Sequence, residues 1–113
     1  MKVLFNDDKK IITIETPAGN SIVISEEEKS IILTDQNSNT ITMDDSGIAL
    51  NSPKDIKLTA GGGIEIKATQ DIKMEGLNIA AAAQAEFKAD GGAGAKLTTS
   101  AIAVVKGSMV QIN

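Results

Sequence analysis

GIALNSPK (47–54), DIKLTAGG (55–62), GIEIKATQ (63–70) and DIKMEG (71–76) follow one another at a fixed spacing of eight residues. Each opens on Gly or Asp and then alternates. Ile48 and Leu50, Ile56 and Leu58, Ile64 and Ile66, Ile72 and Met74 share one side, because successive side chains on a strand face opposite ways. Ala49, Lys57, Glu65 and Lys73 take the other side. Turn-formers close each octad: Asn51, Ser52 and Pro53, then Gly61 to Gly63, then Thr69 and Gln70, then Gly76. A short fixed period of strand plus corner is the signature of a repeat architecture. The octads therefore predict an all-β rod.

Alternation begins upstream of the octads. Ile12/Ile14, Ile22/Ile24, Ile31/Leu33 and Ile41/Met43 are apolar pairs separated by TPAGN, SEEEKS and DQNSN. Their spacing is nine to ten residues. Residues 10–46 are thus expected to be the wider part of the rod or an antiparallel meander-like sheet. Residues 1–9 are expected to be irregular. Residues 77–113 are expected to be an Ala-rich narrowing that ends in a blunt tip. Within them, 79–90 reads two ways. Propensity permits a helix capped by Asn78 and ended by Gly91. The strand period instead pairs Leu77/Ile79, Ala85/Phe87 and Ala95/Leu97. Two last strands carry Ile102/Val104 and Val110/Ile112.

Composition narrows the function. The 113 residues are 42% hydrophobic but hold only two aromatics, Phe5 and Phe87. Aromatics supply much of the area in an ordinary core, so a narrow interior is expected. Net charge is −4 and every basic residue is Lys. Without Arg forks or stacking rings, nucleic acid is not an expected partner. The absence of Cys removes disulfides and thiolate chemistry. MKVLFNDDKK lacks the apolar core of a Sec signal.

Three local motifs fail on chemistry. DQNSN (35–39) opens like an EF-hand loop, but Thr40 and Ser46 stand where Gly and Glu are required. Gly91 to Leu97 imitates a calcium-binding nonapeptide, with Lys96 in the place of the Asp. Gly61 to Gly63 precedes a strand, so no helix N-terminus is there for a phosphate. With no His and no nucleophile beside a base, neither an enzyme nor a cofactor or metal is expected.

A monomeric solenoid of three octads per coil would need protected ends, and no capping helix is visible. The alternative winds three copies about one axis, with no subunit forming a core alone. The octads, the Ala-rich stretch and the terminal VVKGSMVQIN resemble the C-terminal needle of VgrG-type spikes and of contractile phage tail central spikes. The resemblance spans residues 10–113. It implies an intertwined triple-stranded β-helix, a homotrimeric needle driven through a target envelope. Ile48, Leu50, Ile56, Leu58, Ile64, Ile66, Ile72, Met74, Ile102 and Val104 would form its axial core. It also implies an OB-fold and hub region as the neighbour before the needle and a PAAR-repeat protein at the tip. Met109, Val110, Ile112 and Asn113 would be the docking face for that tip protein. Two departures stand out. No OB-fold is present in these residues, which implies a fragment or a separately encoded needle. No His-x-His apex is present either, which favours a separate tip protein. Such a needle belongs to a tail or injection apparatus, assembled in cytoplasm or virion. The competing expectation is a monomeric β-solenoid that binds carbohydrate or a surface.

Overall fold

The computed structural model describes residues 1–113. The protein is all-β. Six strands form one open sheet in the order β1-β2-β3-β4-β5-β6, each antiparallel to the next. They are β1 (Lys2–Asn6), β2 (Ile11–Glu15), β3 (Ser21–Ser25), β4 (Ser30–Thr34), β5 (Thr40–Asp44) and β6 (Gly47–Asn51). The chain divides into two compact units, Met1–Ile66 and Lys67–Asn113, and the sheet lies in the first.

The turns explain the meander. Loops 7–10 and 26–29 end on Lys10 and Lys29, both at positive φ. Loops 16–20 and 35–39 close by backbone bonds, Thr16 N to Asn20 O at 2.9 Å and Asp35 N to Asn39 O at 3.1 Å. Gly19 and Ser38 take positive φ in them, the geometry of a type I turn followed by a left-handed residue. Asp45 and Ser46 make the shortest connection. Asp35 and Asp44 each accept the backbone N–H two residues on through a side-chain oxygen, as Asx turns require, and Asn6 Oδ1 accepts from Lys9 N three residues on.

Register puts the apolar pairs on one face. Ile12 lies opposite Ile24, Ile14 opposite Ile22, Leu33 opposite Ile41 and Met43 opposite Ile48. The same rows continue into β1, where Phe5 faces Ile12 and Val3 faces Ile14. The expectation of an irregular segment over residues 1–9 is corrected here. Val3 and Phe5 alternate in phase with β2, and the four-residue turn 7–10 folds them back onto it. The octad frame and the meander also overlap, since the first octad strand is β6 itself.

After Asn51 the backbone makes no further ladder and no helix. The helical alternative for 79–90 is therefore not adopted. Alanine propensity alone does not hold a helix where no amphipathic face has a partner. Segments without helix or ladder are instead divided by bends at 53–54, 61–62, 69–70, 77, 84–85, 92–93, 100–101 and 108. The eight-residue beat thus runs well past residue 76. It shortens to seven residues once, between the bends at 77 and 84–85. At the corner after Asp90, a Cβ on Gly91 would collide with the Gly94 carbonyl, so a side chain there is excluded.

Candidate functional site

No apolar side chain is buried in the single chain; Ser25 alone is. The candidate site is therefore surface, and it has two parts. The first is the sheet face on which the strand pairs from Val3/Phe5 to Ile48/Leu50 lie, which contains no charged residue. Its opposite face is mixed: Leu4, Thr13, Val23, Ile32, Thr42 and Ala49 run along its middle row, with Lys2, Ile11, Glu15, Asp44 and Ser, Thr, Asn and Gly residues at the strand ends. The two faces differ in chemistry although both are open.

At one end the apolar face becomes a groove of about 1210 Å³. Ile14, Ile22, Leu33, Ile41 and Leu50 line one side of it, and residues 53–57 line the other. A polar network holds this end. Asn20 Oδ1 accepts from Gln36 N at 3.0 Å, and Asn20 Nδ2 donates to Gln36 Oε1 at 3.2 Å. Asn39 Nδ2 donates to Asp35 Oδ2 at 2.7 Å, while Ser52 Oγ donates to Asn39 Oδ1 at 2.6 Å. The Asn39 side-chain bond, with backbone N–H donors from Asn39 and Asn37, holds the Asp35 carboxyl below its ordinary value of 3.8. The EF-hand-like opening is thus a self-satisfied turn, with its carboxylate oxygens already engaged by amides.

The second part is the octad segment. Ile56, Ile64 and Ile72 are each 54% exposed, and Leu58, Ile66 and Met74 are 69%, 70% and 70% exposed. Equal values at equal places mean that the local backbone repeats and that each apolar pair meets the same surroundings. Ile48 and Leu50 are exposed too, on β6. The frame changes at Ile102 and Val104. Ile102 stands two residues after the start of its bend, the place of Asp55, Gly63 and Asp71. It is 84% exposed, above either octad place. Ala103 and Val105 occupy the places of Ile56 and Leu58. At the C-terminal end, Val110 follows the short bend at 108 as Ile79 follows that at 77, and Met109 and Ile112 are exposed beside it.

The outward charges form few contacts. The pairs Lys2–Glu15 at 3.6 Å, Lys10–Glu26 at 3.5 Å and Lys88–Glu86 at 3.0 Å are exposed, a setting in which an ion pair contributes about 0–1 kcal/mol. Compared with known proteins, the chain matches no family model and no curated protein.

Proposed function

We propose that the chain is a structural spike: the membrane-piercing needle of a contractile injection system, an intertwined triple-stranded β-helix made by three copies. One observation carries the reading. From residue 53 to residue 108 the backbone bends about every eight residues, and a pair of apolar side chains returns to the same exposed place at Ile56/Leu58, Ile64/Ile66 and Ile72/Met74. Apolar area left in water at that regularity is an interface in waiting. Burying it stabilises by about 25 cal/mol per Å², and three copies around an axis bury every octad pair at once. A monomeric solenoid would lay the chain's own octads in parallel ladders. The five ladders within the chain are all antiparallel and end at Asn51.

In this reading Ile48, Leu50, Ile56, Leu58, Ile64, Ile66, Ile72 and Met74 form the axial core. Toward the tip the bend frame favours Ala103 and Val105 over Ile102 and Val104. Met109, Val110, Ile112 and Asn113 offer a docking face to a PAAR-repeat tip protein. An OB-fold and hub region precede the needle, and the target envelope is its transient partner. The role is mechanical, without catalysis or cofactor. Light scattering on the purified chain tests the trimer directly. Three chains of 11.7 kDa give about 35 kDa, and a stable monomer overturns the proposal.

A further inference from the structure

Of the chain's aspartates, only Asp90 is followed by glycine. The fold requires that glycine. A Cβ on Gly91 would collide with the Gly94 carbonyl across the corner, so no other residue fits there without moving the backbone. Both Asp90 and Gly91 are exposed. The Asp90 carboxylate joins none of the ion pairs, and the Gly91 N–H joins no ladder and no turn bond. Other aspartates differ in one of these respects. Asp35 and Asp44 accept from Asn37 N at 2.8 Å and from Ser46 N at 2.9 Å. A carboxylate so tethered is not free to turn onto the amide that follows it. Asp55 and Asp71 precede Ile56 and Ile72, whose branched Cβ crowds the amide nitrogen. Asp90 alone combines a free carboxylate, a free neighbouring amide and no side chain beside it.

We propose that Asp90–Gly91 is a self-modification site, where the backbone isomerises through a cyclic imide to isoaspartate. The Gly91 nitrogen attacks Asp90 Cγ. An N–Cγ bond forms, and one carboxylate oxygen leaves as water with the amide proton and a proton from solvent. Water then reopens the ring. Addition at Cγ restores aspartate. Addition at the Asp90 backbone carbonyl carbon breaks its bond to the Gly91 nitrogen, and the chain then runs through Cγ. Nothing is oxidised or reduced, and the water lost is the water regained. The product carries Asp90 Cβ as an additional backbone atom, at a corner with no room for a substituent on Gly91. The residue that lets the corner close is thus the residue that leaves the amide nitrogen open to attack. This chemistry needs only the corner and does not depend on the spike reading.

Heavy-oxygen water tests the site in the full, folded chain. The protein is aged in it at neutral pH, returned to ordinary water and cut with trypsin. Cleavage after Lys88 and Lys96 releases residues 89–96, in which Asp90 is the only acidic side chain. Each ring opening leaves a heavy oxygen there, and fragmentation in the mass spectrometer distinguishes aspartate from isoaspartate. The expected result is label and isoaspartate at Asp90, with Asp71 unlabelled in residues 68–73. In the D90E variant the longer side chain would have to close a larger ring, which forms more slowly, so 89–96 is expected to lose its label. A native 89–96 peptide that stays light after ageing overturns the site. Label at Asp71 equal to that at Asp90 also overturns it, because the glycine corner would then make no difference. Label that persists in D90E does the same, by placing the exchange away from residue 90.

Discussion

Gly47 and Gly63 open equivalent octads but do different jobs. Gly47 follows the two-residue turn Asp45-Ser46 and sits at φ +119°, a region that L side chains rarely adopt. Gly63 has no such φ, and a Cβ there meets nothing within 4 Å. Gly47→Ala is therefore expected to destabilise by about 1–3 kcal/mol, seen as a lower melting temperature, and Gly63→Ala to leave melting nearly unchanged. Equal losses at both would place the constraint in the octad and not in the turn. Asp35 gives a second residue-scale test. Its carboxyl is held low by the Asn39 side chain first and by backbone donors second. A depressed folded value means stability that is full above the ordinary 3.8 and is lost as pH falls through the folded value. Asn39→Ala should raise the Asp35 titration midpoint, read by carbon NMR of the carboxyl. It should also shrink the acid-side fall in melting temperature. An unmoved midpoint would assign the shift to the backbone donors alone.

At the scale of elements, the apolar pairs were legible because alternation and burial side are one signal. The pairs from Ile12/Ile14 to Ile48/Leu50 all fall on one face, as their spacing implies. Strand β1 was harder to see, since KVLFN reads as a short apolar patch until the turn DDKK is known to reverse it onto β2. The Ala-rich stretch was undecidable locally, for alanine suits both a helix and a narrow extended segment. The bends at 84–85 and 92–93 decide it against the helix. Spacing alone does not fix the phase toward the tip. Ile102 and Val110 stand eight apart, so they look equivalent, yet the short bend at 108 sets Ala103 and not Ile102 in step with Val110. A one-residue corner leaves no mark that composition can reveal. The phase has a direct test in paired variants. Val105→Asp would put three carboxylates at one axial level without partners, and should lower the melting temperature of the assembled protein sharply. Val104→Asp should be tolerated. The reverse ranking, measured by the same thermal scan, would restore Ile102 and Val104 to the inside.

For the whole molecule, the question is whether shaft and tip are separable. The octads repeat the same surroundings at Ile56, Ile64 and Ile72, so each level of a trimeric shaft would contribute a similar increment, and stability would rest on many levels. Repeat architectures of this kind gain stability from unit terms and neighbour terms. Removing residues 109–113 takes away less than one octad, the segment that follows the short bend at 108. The remaining octads, with the apolar face of the sheet, keep most of the proposed interface. Deleting 109–113 is therefore expected to leave a particle of three chains with a slightly lower melting temperature. In the proposed spike the tip would behave differently, because a docked partner would read only the last level. Met109, Val110 and Ile112 are all exposed there, and a PAAR-repeat protein seated on them loses its whole footprint in the truncation. Binding of a cognate PAAR-repeat protein, followed by calorimetry, should then vanish while light scattering still reports three chains. Binding that survives the truncation would move the docking face up the shaft. Loss of the three-chain particle would mean that the last strand locks the assembly rather than presenting a partner.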